Sequence, residues 1–318
     1  MPRSSASASG SDDEGFGSVF QEPEGFRPPT PPPTIRTYKR RTLGGSGPLV
    51  GSDSIEVGLV SGHPLWGHVL YPAAIALAQF LELHAAQLLH GPDGKGKGKG
   101  KAVLELGAGG GLPGLVAALE GADQVVISDF PDAALVNNIA KNIEMNIPPI
   151  DEIAHAVAKG FTWGSPPDPL LEALQSPSTS SATESDLRKF DLILLSDLVF
   201  NHSQHLALLN TCLSCLAPSL SSSTAEKPSP ATSIPTPPAA DLSSAPSSSG
   251  LQTPAVLCFF SHHRPWLVDA DLKILDLARE TGWQVQKVWE DPHAGPAFPE
   301  DGGDLGIRST VHGWMFTR

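Results

Sequence analysis

A strand-like run, Val103-Leu-Glu-Leu, opens into Gly107-Ala108-Gly109-Gly110-Gly111, and the chain resumes at Leu112-Pro113. Backbone this short of side chains lets a ligand lie directly against it. The spacing narrows the choice of ligand. From Gly107, the dinucleotide pattern G-x-G-x-x-G needs glycine at 112, where Leu112 stands; a shifted match at Gly109, Gly111 and Gly114 is displaced from the strand and interrupted by Pro113. A phosphate loop needs G-K-[ST] after its glycines, and none follows. Two acids complete the pattern. Glu105 lies in the strand, and Asp129 follows it by 24 residues at the end of the next strand. There a carboxylate can accept hydrogen bonds from both hydroxyls of a ribose. An acid this close to the glycines suits a cationic ligand and repels a pyrophosphate.

The elements that must position these residues alternate along the chain. Strands are expected at "KAVLEL", "DQVVISDF", "HAVAKGFTW", "FDLILLSDLVF", "AVLCFFSH", "WQVQKVWE" and "STVHGWMFTR". Helices are expected at "PAAIALAQFLELHAAQLLH", "LPGLVAALEG", "PDAALVNNIAKNIEMN", "SQHLALLNTCLSCLA" and "VDADLKILDLARETG". The order implies an α/β fold: a seven-stranded, mostly parallel sheet covered on both faces. The last two strands have no helix between them and are expected to pair antiparallel. In such a sheet, ligands bind beyond the carboxyl ends of the strands near the first crossover, where the glycine loop lies.

The ordered pieces are expected to form one domain over 51–318, after a disordered, Pro-rich tail over 1–50. Low-complexity insertions are expected near 91–101, 165–187 and 218–250, because such compositions bury too little apolar surface to offset chain ordering. The formal charge of −13 argues against a nucleic-acid binder. Three cysteines, Cys212, Cys215 and Cys258, are too few for a disulfide framework and fit a reducing compartment. The start lacks the apolar stretch of a secretory signal, and no window reaches the roughly 18 apolar residues of a membrane span. A cytoplasmic protein is expected.

Glu105-Leu-Gly107-Ala-Gly109-Gly-Gly111 resembles the first motif of class I, Rossmann-like methyltransferases that use S-adenosylmethionine, and Asp129 resembles their ribose acid. "HPLWGHVLYPAA", "VLELGAGGGLPGLVAAL", "SDFPD", "SDLVFNH" and the tail motif "VFQEPEGFRPPTPPPT" together resemble a fungal, family 16-like group formerly named nicotinamide N-methyltransferases. Its members methylate the N-terminal glycine and adjacent lysine of translation elongation factor 1-alpha. The resemblance implies S-adenosylmethionine as cofactor, with contacts from Trp66, Gly107, Ala108, Gly109, Asp129, Trp163 and Ser196. It implies elongation factor 1-alpha as protein partner, with neither nucleic acid nor membrane, and a monomeric enzyme. Tyr71 departs from it, standing where relatives often carry Trp.

In this reading Trp163 stacks on the adenine and Trp66 shields the methionine end. Related enzymes carry an acid-x-x-aromatic pattern that Asp197 to Phe200 fits, which implies that Asp197 orients the acceptor amine and Phe200 forms an apolar wall. The alternative activity is methylation of a small, nicotinamide-like amine. Three other features carry less: Cys212-x-x-Cys215 lies on an apolar helix and has no second pair. His262 and His263 are expected at the surface of a strand end near the site. The "GKGKGKGK" run is expected to be a solvated tether.

Overall fold

The computed structural model describes residues 33–41, 52–61, 67–95, 99–149, 154–174, 188–219 and 251–318. A hairpin of β1 (Thr34–Lys39) and β2 (Ser54–Leu59) precedes helix α1 (Pro72–Leu83) and its short continuation α2 (Ala85–Leu88). The chain then alternates through β3 (Ala102–Leu106), α3 (Leu112–Leu119), β4 (Gln124–Asp129), α4 (Ala133–Asn146), β5 (His155–Gly160) and a single turn, α5 (Asp168–Leu171). It continues as β6 (Leu192–Ser196), α6 (His205–Cys215), β7 (Ala255–Ser261), α7 (Val268–Glu280), β8 (Gln284–Asp291), α8 (Leu305–Ser309) and β9 (Val311–Thr317).

Strands β3 to β9 form a seven-stranded sheet in the order β5-β4-β3-β6-β7-β9-β8. β3 to β7 run parallel, and β9 is antiparallel to both β7 and β8. The expected sheet is therefore present, and its last two strands pair as expected, although the short helix α8 lies between them. Every residue of β3, β6 and β7 is buried, as the continuous Val, Leu and Ile runs of strands covered on both faces require. The strand order reverses between β3 and its neighbours β4 and β6. That switch point opens a crevice at their carboxyl ends.

Two local devices aim the loops at that crevice. Helix α3 begins at Gly111, which has no side chain to cap it. Glu105 supplies the cap instead: its Oε2 accepts the Gly114 N–H at 2.8 Å, satisfying one of the orphan donors of a helix start. Helix α4 carries a ladder of asparagines spaced four apart. Asn138 and Asn142 bind the backbone of Gly58, and Asn146 that of Glu56. Asn142 also donates to the Gly110 carbonyl at 2.9 Å, so one buried amide ties the hairpin to the glycine loop.

Within the expected tail, Thr34–Lys39 form strand β1. β1 forms because Thr34, Ile35, Thr37 and Tyr38 suit a strand and because its far end is anchored. The Tyr38 hydroxyl donates to Glu82 Oε2 at 2.9 Å, and the buried Arg40 donates to Glu120 Oε1 at 2.7 Å. The segment expected to be loose over 165–187 likewise contains α5, with Leu170, Leu171 and Leu174 buried. In both places, composition averaged over a long window hides a short anchor, polar at β1 and apolar at α5. Residues 96–98 of the basic run and 220–250 of the long insertion lie outside the described residues.

Candidate methyltransferase site

The crevice holds a cavity of about 580 Å³, within the range of small-molecule and cofactor sites. Gly107, Ala108 and Gly109 line it from the end of β3, Asp129 from the end of β4, and Trp163 from beyond β5. Ser196, Asp197 and Phe200 line it from the end of β6. Of the residues that the sequence singles out for the site, these eight are brought together. Trp66 lies outside the described residues, next to Gly67, which lines the cavity.

The glycine loop is shaped by need. Gly107 has φ +62°, and a Cβ there would meet Leu198 Cδ2 at 2.6 Å and Trp163 Cζ2 at 3.0 Å. Both the conformation and the packing exclude a side chain. Gly109 has φ +56°, and its N–H donates to Asp129 Oδ2 at 2.7 Å. Asp129 Oδ1 accepts the Phe130 N–H at 2.6 Å. The carboxylate thus braces the loop it faces.

Glu105 behaves otherwise than its spacing suggests. It is fully buried, points at α3 and is absent from the cavity lining. Burial, with the charge of Asp129 adding, pushes its carboxyl up to about 8 despite the Gly114 bond. The acids that face a ligand are Asp129 and Asp197. They are the only charged side chains among the described lining residues, with neither Lys nor Arg beside them. A negative wall of this kind suits a sulfonium and an amine and disfavours a pyrophosphate.

Asp197 sits in the left-handed region at φ +59°, the only non-glycine residue there among those described. Such conformations are costly outside glycine and collect at functional sites. Three contacts hold it: its N–H donates to the Phe259 carbonyl at 2.8 Å, the Ser261 N–H donates to Oδ1 at 3.4 Å, and His263 Nε2 lies 3.1 Å from Oδ1. Phe200 is 42% exposed at the mouth.

His262 and His263 depart from the expected surface placement. His262 is buried, its Nδ1 2.8 Å from Asp271 Oδ2, while Asp271 Oδ1 lies 2.7 Å from His202 Nε2. The His263 side chain is only 14% exposed. Burial is the largest single influence and lowers its pKa, but the carboxylates of Asp197 and Asp271 together raise it. Sequence reasoning noted Tyr71 only as a departure and did not place it in the site, though it lines the cavity, and it missed Asn201 and Gln204 at the mouth. Only their closeness to "GHVL" and "SDLVF" could have marked them. The thiols of Cys215 and Cys258 are buried, which pushes both up to about 12, and neither lines the cavity.

The residues present fit S-adenosylmethionine: backbone cleared at Gly107 and Gly109, an acid at the ribose position, an aromatic at Trp163 and, among the described lining residues, no Lys or Arg for a phosphate.

Comparison with known proteins agrees. The model of a family described as lysine methyltransferase matches residues 61–228. Protein N-terminal and lysine N-methyltransferase efm7 of Schizosaccharomyces pombe is 36% identical, covering 96% of this chain and 96% of its own. The protein of the same name in Cryptococcus neoformans is 35% identical over 96% of this chain and 88% of its own, and that of Neurospora crassa 34% identical over 96% and 89%. Among solved structures, P. horikoshii TYW2 in complex with MeSAdo aligns with a TM-score of 0.40 at 12% identity, over 84% of this chain and 70% of its own. With a cavity of this chemistry and relatives matched nearly end to end, the chain belongs to the lysine methyltransferase family, and S-adenosylmethionine is its cofactor.

Proposed function

We propose that this enzyme methylates the N-terminal glycine and the adjacent lysine of translation elongation factor 1-alpha, acting as a monomer in the cytoplasm. The observation that carries the reading is the pair Asp129 and Asp197, two carboxylates in one cavity without a described cationic neighbour in its lining. The relatives' names as protein N-terminal and lysine methyltransferases support the acceptor class.

When bound, the cofactor supplies an electrophilic methyl group on a sulfonium. In this reading the loop Gly107 to Gly109 and Asp129 would hold its nucleoside, Trp163 would stack on the adenine, Trp66 would shield the methionine end, and Ser196 would face the methyl group. The acceptor must arrive neutral, because its nitrogen lone pair forms the new bond to carbon. An α-amine with pKa about 8 is roughly 10% neutral at pH 7, a lysine with pKa about 10.4 only about 0.04%. The lysine therefore asks more of the site. Asp197 accepts a hydrogen bond from the amine and offsets the positive charge that the nitrogen gains, while Phe200 excludes water from one side. Most of the acceleration comes from holding nitrogen and methyl in line.

Transfer of labelled methyl groups tests this reading, with an N-terminal peptide of the elongation factor and nicotinamide offered as rival acceptors. Label is expected on the peptide. Label on nicotinamide alone would overturn the protein reading.

A further inference from the structure

At the end of β7 the chain runs Ser261-His262-His263, and the two rings part company. His262 turns back to Asp271 on α7, whereas His263 turns to Asp197. Asp197 Oδ1 is occupied on that side: His263 Nε2 stands 3.1 Å away and the Ser261 N–H donates to it at 3.4 Å. Its other oxygen, Oδ2, is buried and has no hydrogen-bond partner among the described residues, on a residue that lines the cavity. A buried acceptor left bare is costly and here awaits a donor. His263 is walled by aromatic rings, with Tyr71 and Phe298 each 5.6 Å away and Phe200 6.5 Å away. The charged and titratable groups facing it are Asp197 after β6, Asp271 on α7, Arg308 on α8 and Tyr71 before α1. Arg308 is committed to the carbonyls of Phe298 and Asp301.

A bare carboxylate would harm the reaction it orients. An opposite charge within about 4–6 Å favours the protonated amine, and only the neutral amine attacks. We propose that His263 is a positioning residue for methyl transfer: as an imidazolium it tempers the Asp197 charge, so that Oδ2 accepts a hydrogen bond from the acceptor amine and still offsets the charge its nitrogen gains, without holding that amine in its unreactive protonated form. This rests on the amine-acceptor reading above and extends it to a residue behind the cavity wall. The direction of the His263 shift agrees, because the Asp197 charge raises its pKa against the effect of burial.

The pH dependence follows with a definite sign. The imidazolium is present below the His263 pKa, so this tempering works on the acidic and neutral side and is lost as pH rises through that value. In His263→Gln the amide can hydrogen-bond Asp197 but carries no charge. The acidic limb of the kcat profile should therefore move to higher pH, with kcat roughly tenfold lower near pH 7, the cost of one pKa unit on the acceptor amine. The variant and the wild type should converge in alkali, where both lack the imidazolium. A uniform drop at every pH, or an unchanged profile, would overturn the proposal. A second arm needs no acceptor: the His263 ring, followed by NMR, should titrate at higher pH in the wild type than in Asp197→Asn. Equal titration in the two would overturn the pair even if wild-type activity were normal. Failure of the underlying reading looks different, as no methyl transfer to any amine by the wild-type protein.

Discussion

Replacing Asp129 by alanine should separate cofactor binding from folding. The side chain accepts hydrogen bonds from Gly109 N–H to Oδ2 at 2.7 Å and from Phe130 N–H to Oδ1 at 2.6 Å. Both brace the cavity wall, and an ionised carboxylate offers about four acceptor sites, enough to reach ribose hydroxyls as well. Hydrogen bonds to a charged group contribute about 1.5–3 kcal/mol each. Loss of one ribose contact therefore weakens binding by roughly 10-fold to 150-fold, at about 1.4 kcal/mol per factor of ten. The loosened Gly109 N–H pushes the result toward the upper end. Phe130 and the end of β4 are half-exposed or exposed, so solvent can satisfy the released donors and the fold should survive. Calorimetry with S-adenosylmethionine, backed by circular dichroism, checks both halves. Affinity within twofold of the wild type in a folded Asp129→Ala protein would remove Asp129 from the site.

Asn142→Ala should lower stability to denaturant by about 2–6 kcal/mol, because it strips the Gly58 N–H and the Gly110 carbonyl of a buried partner at roughly 1–3 kcal/mol each. An unchanged midpoint would mean that water replaces the amide. Glu105→Gln should show a pH-dependent gain. The folded chain keeps its proton up to about 8 while the unfolded one releases it near 4.5, so wild-type stability falls as pH rises across that window. The variant's advantage should therefore grow from pH 4.5 to 8 and level off above; a difference independent of pH would refute the buried, protonated acid. Deleting residues 1–32 leaves β1, Tyr38 and Arg40 in place and should keep the melting temperature. If the tail motif helps hold the acceptor, the deletion should cut kcat/KM for a protein acceptor far more than cofactor affinity. Full-rate methylation by the truncated enzyme would dismiss that role.

The sheet and the glycine loop are legible in the sequence because each depends on local pattern. Strands β6 and β7 are almost wholly apolar runs, β3 is apolar but for Glu105, and the glycines directly follow β3. Asp129 is legible for the same reason, as the acid that ends the next strand. What is hidden depends on distant partners. Glu105 reads as a ligand-facing acid, yet it turns inward because α3 starts at a glycine and lacks a cap. β1 hides in a Pro-rich tail because its anchors, Glu82 and Glu120, lie on other elements. The asparagine ladder of α4 resembles an ordinary polar face until β2 is laid against it. His263 is the sharpest case. Nothing in "SHHRPW" says which of two adjacent histidines meets Asp197, because the choice is made by Asp271, which holds the other.

The central claim is that this cavity methylates the first two residues of elongation factor 1-alpha with Asp197 aligning the amine. Tandem mass spectrometry of the full-length factor, after incubation with S-adenosylmethionine and either the wild-type enzyme or Asp197→Asn, tests it most directly. The wild type should place methyl groups on the N-terminal glycine and the adjacent lysine and on no other residue. Asp197→Asn should bind cofactor as tightly yet modify both positions much more slowly, because the lost charge is felt mainly when the amine turns cationic. Methyl groups elsewhere on the factor, or equal rates for the two proteins, would contradict it.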